Sequence, residues 1–193
     1  MHWKRHRDAS PPWPEHPQPL WLERAPWIAR ERAVALWMHR ASTRDWVVCV
    51  LAAVSRVGDG WIWFAIIVWL WIAGGPTGTS ASVRAVGVGA VNLVLYQIIK
   101  RWIARPRPYR TCPGICARTR SLDEFSFPSG HTLHSVAFSV ILTVYYPVSA
   151  LFVWPLTVLI ALSRMVLGLH YPSDVIVGAL IGGVTAAVSF NLL

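Results

Sequence analysis

The sequence predicts an all-α, polytopic membrane helix bundle with about five transmembrane helices, or six on an alternative count. Three observations predict this class. Hydrophobic residues make up 54% of the 193 residues. Between Glu124 and Asp174 the only Lys, Arg, Asp or Glu is Arg164, and none follows Asp174. Several of the 12 tryptophans, such as Trp46 and Trp102, lie near expected span ends, where indole favours the membrane interface.

Residues 1–45 are predicted to form a separate N-terminal segment, and residues 46–193 the membrane domain. The segment is basic and rich in proline, and we expect no secretory signal because it lacks an apolar core stretch. Residues 1–19 have a composition typical of disorder, whereas residues 27–40 fit a basic amphipathic helix lying on the membrane. The net charge of +9 is not gathered into a soluble basic domain, so anionic lipid headgroups or phosphate substrates are expected partners, not nucleic acid.

The first hydrophobic region is interrupted by VGDG (57–60), which predicts a short interfacial helix, a turn, and a first span ending at Ala73. The two pieces could also form one long tilted helix. The stretch GGPTGTSAS (74–82) is predicted to be a loop.

Four further spans are expected at 83–103, 131–146, 150–169 and 174–193. Pro147 and Ser149 predict a tight turn, and Pro172 suits the first turn of the last helix. Small residues in that helix permit close helix packing: Gly178, Ala179, Gly182 and Gly183. By alternation, the loops 104–127 and 170–173 and the start of the third span lie on one membrane face.

The first polar cluster on that face is KRWIARPRP (100–108). Lys100 and Arg107 are two helical turns apart, which would place both on one side of a helix, although Pro106 and Pro108 disturb that register. The alternative interpretation is a basic helix end whose side chains extend to lipid headgroups.

The second cluster is PSGH (128–131), a rigid turn that leads directly into a helix. Free N–H groups at such a helix N-terminus bind anions, and His131 would lie beside the bound anion. Ser129 could instead simply cap the helix. For His134, one turn deeper, the favoured interpretation is a core histidine satisfied by a hydrogen bond.

The third cluster is SRMVLGLHYPSD (163–174). Arg164 lies in an otherwise apolar run, and a charge at that depth is a functional hypothesis by default. Asp174 is expected near the start of the last helix, where it would hold the imidazole of His170. The alternative is that Arg164 and Asp174 simply neutralise each other.

Together the clusters contain three cations, a helix N-terminus, two candidate histidines and one carboxylate. Guanidinium groups bind phosphate through two parallel hydrogen bonds. One histidine tied to an acid can attack phosphorus, and the other can protonate the departing oxygen. The residues therefore predict a phosphoryl-transfer site that works without a metal.

These motifs resemble those of the type 2 phosphatidic acid phosphatase (PAP2) superfamily. The family pattern is Lys, six residues, Arg-Pro; then Pro-Ser-Gly-His; then Ser-Arg, five residues, His, three residues, Asp. This chain reads Lys100 to Arg107-Pro108, Pro128 to His131, and Ser163-Arg164 to His170 to Asp174. The resemblance covers residues 100–174 without a departure. It implies a bacterial integral-membrane lipid phosphatase with the helical core that soluble vanadium haloperoxidases share.

The resemblance also implies a role for each motif residue. His170 would be the nucleophile that forms a phosphohistidine, Asp174 would orient it, and His131 would be the general acid. The phosphate oxygens would be held by Lys100, Arg107, Arg164, Ser129 and the Gly130 backbone. No metal or other cofactor is implied. The expected partners are the bilayer and an amphiphilic substrate whose phosphate reaches the polar end of the bundle.

The expected function is hydrolysis of a lipid phosphate monoester or diphosphate: undecaprenyl diphosphate, phosphatidylglycerophosphate or phosphatidate. One alternative is a lipid phosphotransferase that passes the phosphate to lipid A or another acceptor lipid. An alternative of another class is a non-catalytic lipid-binding or transport protein. The apolar helices do not choose among these lipids, and the oligomeric state is not predicted.

Two arguments disagree about which membrane face holds the site. All Lys and Arg residues except Arg84 are expected on the catalytic side, which the positive-inside rule makes cytoplasmic. The resemblance favours the bacterial inner membrane with the site toward the periplasm, and this is the placement we expect. There Cys112 and Cys116 could form a disulfide, although free thiols or half a metal site are alternatives.

Overall fold

The computed structural model describes residues 26–121 and 123–192, so the disorder predicted for residues 1–19 lies outside the described part. The long helices in chain order are α1 (Pro26–His39), α2 (Asp45–Val57), α3 (Trp61–Ala73), α4 (Gly75–Ile103), α6 (Gly130–Tyr145), α7 (Ala150–Val166) and α8 (Pro172–Leu192). A single-turn helix, α5 (Pro108–Thr111), lies in the loop after α4. Short 3-10 turns cover Arg40–Thr43 and Pro147–Ser149.

Within the described ranges, three helices are long and apolar enough to cross a membrane: α4, α7 with its preceding turn, and α8. The pair α2 and α3, bent by 42° at the predicted VGDG turn, adds a fourth if the two helices together form one span. The all-helical membrane bundle is therefore confirmed, and the chain is a multi-pass membrane protein.

The third expected crossing, α6, has 16 residues, about 24 Å of helix. It is too short to meet the usual length for a span. It nevertheless runs beside α4, because its first residue, Gly130, lies against Tyr96 and its last, Tyr145, accepts a hydrogen bond from Arg84. The central helix of the bundle is thus the one that carries the PSGH turn at its N-terminus.

The loop predicted at 74–82 is wrong, because α4 already begins at Gly75. Pro76 occupies the first turn, where its missing N–H costs nothing. Thr79 and Ser80 donate their hydroxyls to the carbonyls of Gly75 and Pro76 one turn back. The prediction was wrong because it relied on the low helix propensity of glycine, serine and threonine. Packing in the bundle can override that propensity.

The predicted close packing of the last helix is confirmed at two of its small residues. A Cβ on Gly178 would lie 2.6 Å from the Ser129 carbonyl oxygen, and one on Gly182 would overlap the Leu133 carbonyl. A Cβ on Gly183 would meet only a Val136 methyl, at 3.8 Å. The close approach of α8 to α6 brings the PSGH turn against the start of α8.

The predicted helix at 27–40 is present as α1, but its faces do not divide simply into polar and apolar. Ile28, Ala35 and His39 are buried, whereas Trp27 and Trp37 are exposed. The His39 Nδ1–H donates to the Val166 carbonyl at 2.9 Å. Its Nε2 accepts the Cys116 N–H at 3.2 Å. Helix α1 is therefore attached to the end of the bundle that carries the predicted site, and the boundary at residue 45 stays a prediction.

Candidate active site

His170 lies at the centre of the polar end of the bundle, 2% exposed, in the loop between α7 and α8. The N–H groups of Leu169 and His170 both donate to the Arg164 carbonyl at the end of α7. Gly168 has a φ of +77°, and a Cβ there would also collide with the loop at Cys116. This turn holds the imidazole in a fixed position inside the bundle.

The surroundings of His170 select one tautomer of its ring. Its Nε2 lies 3.2 Å from Nη1 of Arg107, and a guanidinium can only donate. Nε2 is therefore the acceptor, and Nδ1 carries the hydrogen of the neutral ring. Burial, followed by the charges of Arg107 and Arg164, lowers the pKa of His170 well below its ordinary value. A neutral imidazole with a free Nε2 lone pair is the nucleophilic form.

Asp174 faces His170, as predicted, but does not hold it closely. Its Oδ2 lies 3.6 Å from Nδ1 of His170 and accepts the Tyr171 N–H at 2.8 Å. Its Oδ1 accepts a hydrogen bond from Arg105 at 2.8 Å. The alternative of an Arg164–Asp174 ion pair is wrong, because Arg105 neutralises the carboxylate and Arg164 donates to Ser55.

The two cations predicted from KRWIARPRP do meet, although α4 ends before Arg107. Both contact the carboxylate of Asp123, which accepts from Lys100 at 2.7 Å and from Arg107 at 2.6 Å. The other oxygen of Asp123 accepts the Tyr96 hydroxyl at 2.5 Å. Both cations are buried, so snorkelling to headgroups is wrong for these two side chains. A carboxylate of the protein occupies the cations expected to bind phosphate.

Asp123 is held as an anion by these partners. Burial alone would raise the pKa of Asp123, but Arg107 and Lys100 outweigh it, so its pKa lies below the ordinary range. The side chain is 32% exposed, which leaves it accessible to water and solutes. A phosphate that bound Lys100 and Arg107 would therefore compete with this carboxylate.

We expect Asp123→Asn to bind orthophosphate more tightly, because Lys100 and Arg107 lose a competing negative charge. Exposure to solvent moderates the effect to roughly threefold to tenfold. The measurement is the inhibition constant of orthophosphate for substrate turnover in detergent. Glu124→Gln is the matched control, since Glu124 pairs with Arg110 in the same loop. An unchanged or weaker phosphate affinity in Asp123→Asn would contradict competition at these cations.

The PSGH turn places the N-terminus of α6 beside this cluster. Ser129 makes no side-chain cap; its hydroxyl lies 3.0 Å from that of Thr132, and its N–H donates to the Asp174 carbonyl. Gly130 faces Tyr96, whose ring would be 2.7 Å from an added Cβ. A side chain at Gly130 would push Tyr96 away from Lys100 and Asp123.

His131 makes a contact that the sequence did not predict. Its Nε2 lies 2.6 Å from Oδ1 of Asp59, which comes from the turn between α2 and α3. Burial lowers the pKa of His131, and the hydrogen bond with Asp59 opposes that effect without reversing it. The hydrogen bond expected of His134 is present, from its Nδ1 to the Gly130 carbonyl at 2.9 Å, although the residue is half-buried and not in the core.

The predicted buried cation Arg164 is 2% exposed and contributes to the same cluster. Its charge, with those of Arg107 and Lys100, acts on the pKa of His170. Its Nη1 donates to Ser55, whereas its Nε is buried without a hydrogen-bond partner among the described residues. An unpaired buried donor in this polar cluster is suited to a ligand oxygen.

Cys112 and Cys116 are free thiols in the structure. The Cys112 sulfur lies 3.3 Å from the Tyr171 hydroxyl, and the exposed Cys116 sulfur lies 3.6 Å from Nε2 of His39.

Three charged partners of the motif residues were missed, Asp59, Arg105 and Asp123, and with them Glu31, which pairs with Arg105. Each lies in the N-terminal segment or a polar loop, where a charged residue is the ordinary choice. Arg105 stands two residues before Arg107, and Asp123 stands between two motifs. Their position in the sequence was the only available signal, and it does not reveal which cation or anion each one meets.

Fold and site together define the class: a multi-pass membrane protein whose buried histidine, carboxylate and cations meet at one end of the bundle. The family model of the PAP2 superfamily matches residues 81–193. The chain belongs to the PAP2 superfamily, as the three motifs predicted.

Curated relatives agree with this assignment. Decaprenylphosphoryl-5-phosphoribose phosphatase of Mycolicibacterium smegmatis is 36% identical over 144 residues, 70% of this chain and 73% of that protein. Undecaprenyl-diphosphatase of Sulfolobus acidocaldarius is 26% identical over 154 residues, 74% of this chain and 69% of that protein. The predicted enzyme class, a lipid phosphate phosphatase, is confirmed by these relatives.

Two solved structures share the fold. Aquifex aeolicus LpxE superposes with a TM-score of 0.73 at 22% identity, covering 82% of this chain and 93% of that one. A transmembrane PAP2-type phosphatidylglycerolphosphate phosphatase from Bacillus subtilis gives a TM-score of 0.67 at 19% identity, covering 90% of this chain and 89% of that one.

Proposed function

We propose that this enzyme hydrolyses the phosphate monoester or diphosphate of a membrane lipid through a phosphohistidine on His170, without a metal. One observation carries the proposal. The buried, neutral His170 presents Nε2 to the guanidinium of Arg107 and turns Nδ1 toward the carboxylate of Asp174. A nucleophilic nitrogen thus lies beside a cation that can bind the phosphate, and the ring is backed by a carboxylate.

In the first step, Nε2 of His170 attacks phosphorus, and the bond from phosphorus to the lipid oxygen breaks. The lipid oxygen keeps the electron pair and takes a proton from the protonated ring of His131, which pairs with Asp59. Asp174 stabilises the positive charge that develops on the His170 ring.

In the second step, water attacks the phosphorus and gives its proton to His131. The bond between phosphorus and nitrogen breaks, orthophosphate leaves, and Nε2 recovers its lone pair. Throughout both steps Lys100, Arg107, Arg164, Ser129 and the Gly130 backbone bind the phosphoryl oxygens. Asp123 must release Lys100 and Arg107 before they can do so.

Among the lipid classes, we place a polyprenyl-linked phosphate first. The support is the 36% identity to a decaprenylphosphoryl-5-phosphoribose phosphatase, together with the similarity to an undecaprenyl-diphosphatase. Phosphatidylglycerophosphate and phosphatidate follow as the other candidates.

The test is phosphate release by the purified protein in detergent containing EDTA. The substrates are decaprenylphosphoryl-5-phosphoribose, undecaprenyl diphosphate, phosphatidylglycerophosphate and phosphatidate, with lipid A added as an acceptor in a parallel series. Release of orthophosphate that is fastest from a polyprenyl lipid supports the proposal. No release from any lipid, or release abolished by EDTA, contradicts the mechanism, and phosphate found on lipid A would instead identify a phosphotransferase.

We further propose that the protein lies in a bacterial inner membrane with the catalytic end toward the periplasm, as the resemblance to bacterial family members implies. The exposed thiol of Cys116 lies at that end, next to His39. In a variant whose other cysteines are replaced, labelling by a membrane-impermeant maleimide in intact cells supports this orientation. Labelling only after lysis would place the site in the cytoplasm.

A further inference from the structure

Glu31 is a buried carboxylate that α1 inserts into the catalytic end of the bundle. Its side chain is 8% exposed. One oxygen accepts from Nη2 of Arg105 at 2.6 Å, and the other accepts the Ser173 N–H at 2.9 Å. Burying a carboxylate is costly unless it is paired and hydrogen-bonded, and here both oxygens have partners. Glu31 precedes the part of the chain that the family model matches, residues 81–193.

Arg105 joins this carboxylate to that of Asp174. It is 5% exposed, and its Nη1 donates to Asp174 at 2.8 Å and to the Ser173 hydroxyl at 2.7 Å. The guanidinium also lies over the ring of Tyr171, 4.0 Å from its centroid. These contacts fix Arg105 on one oxygen of Asp174, and the other oxygen accepts the Tyr171 N–H and lies 3.6 Å from Nδ1 of His170.

The charges along this chain alternate: negative on Glu31, positive on Arg105, negative on Asp174. Asp174 is fully buried, and the positive charge of Arg105, 2.8 Å away, favours its ionised form against the cost of that burial. With Arg105 as its only charged partner, Asp174 would belong to a pair without net charge. Such a pair would stabilise the His170 ring less when the ring becomes positive. The second carboxylate restores a net negative charge to the cluster.

We propose that Arg105 and Glu31 are positioning residues of the phosphoryl-transfer reaction: Arg105 aims the Asp174 carboxylate at His170, and Glu31 maintains the negative charge behind it. The inference rests on the proposed phosphohistidine function and extends it to α1. Helix α1 thereby becomes part of the catalytic apparatus, although its exposed face carries Trp27 and Trp37.

The discriminating variant is Glu31→Gln, which keeps the shape of the side chain and removes its charge. We expect kcat to fall about tenfold, as for other groups that orient a reactive residue, with KM within about twofold. Loss of a nearby negative charge lowers the pKa of His170 further, so the acid limb of the kcat profile shifts to lower pH. The charged and titratable groups around that ring are Asp174, Arg107, Arg164, Lys100 and His131.

Arg105→Met and Arg105→Lys form the second pair of variants. We expect Arg105→Met to lose more activity than Glu31→Gln, because Asp174 loses its partner. Arg105→Lys is expected to recover part of that loss, since it retains the charge but not the geometry of the guanidinium. Glu124→Gln, the same substitution in the Arg110–Glu124 pair, is the matched control.

Rates are expressed per folded protein, with thermal melting measured for every variant. Wild-type kcat and an unshifted acid limb in Glu31→Gln would overturn the inference. So would a loss of activity that only follows the folded fraction. His170→Ala in the same assay separates the two proposals: if it is inactive while Glu31→Gln is normal, only this inference fails, and if it is active, the proposed function fails.

Discussion

Replacing His170 with alanine is expected to abolish lipid phosphate hydrolysis, lowering kcat by at least about 10⁴-fold. The reason is chemical: alanine removes the nitrogen that serves as the nucleophile in the proposed mechanism. Among residues 26–121 and 123–192, no neighbouring side chain offers an equivalent nucleophile at the same place, since Lys100 and Arg107 are engaged as cations by Asp123. The measurement is phosphate release in EDTA with the best lipid of the panel.

A covalent intermediate gives this prediction a second readout. Wild-type protein, mixed with a lipid carrying labelled phosphate and quenched in alkali, is expected to retain label, because phosphohistidine survives alkali and is lost in acid. The His170→Ala protein is expected to retain none. His134→Ala is the matched control, because that ring bonds only its own helix carbonyl at Gly130 in the described structure. Label retained by His170→Ala would place the nucleophile elsewhere.

The pH dependence follows from the same site. Since burial and the charges of Arg107 and Arg164 lower the pKa of His170, the ring remains neutral below the ordinary histidine value of 6.5. Attack requires the neutral ring, so activity persists as the pH falls through 6.5 and declines only at lower pH. An acid limb centred above 6.5 would contradict a nucleophile in this environment.

Replacing His131 with alanine is the second large effect that we expect, and its size depends on the leaving group. General acid catalysis contributes typically 10²- to 10⁴-fold, so a lipid alkoxide should depart about that much more slowly. Nitrophenolate departs without protonation, so 4-nitrophenyl phosphate should lose much less. The measurement is kcat/KM of wild type and variant on both substrates.

Asp59→Asn completes this experiment, because it retains a hydrogen bond to His131 and removes the charge that favours the imidazolium. We expect a smaller loss than in His131→Ala, with the same dependence on the leaving group. Equal losses on the lipid and on 4-nitrophenyl phosphate would contradict an acid role. His131 would then contribute through phosphate binding or folding instead.

The occupation of the phosphate cations by Asp123 has a consequence for catalysis. Lys100 and Arg107 would be two buried like charges with nothing between them if Asp123 left without a replacement. In the proposed mechanism an incoming phosphate supplies that replacement, so binding would be an exchange of one anion for another. Such an exchange would moderate phosphate affinity and favour release of the product.

Much of the site could be predicted from the motif residues because their surroundings made them conspicuous. Arg164 lies in an apolar run, and His131 follows a Pro-Ser-Gly turn at the start of a hydrophobic helix. A charge or an imidazole placed there costs free energy, so it indicates a function. The difference between apolar and polar segments also identified the hydrophobic helices. It failed at 74–82, where glycine, serine and threonine belong to the helix α4.

The sequence by itself thus determined the family, the helical membrane fold and the candidate residues of the site. Only the tertiary structure decided their partners: Asp59 for His131, Arg105 for Asp174, Asp123 for Lys100 and Arg107, and Glu31 for Arg105. The physical reason is that ion pairs form across distant segments, up to 74 positions apart for Glu31 and Arg105. A charged residue in a polar segment gives no local sign of such a partner, because water would solvate it equally well until the fold brings the two together.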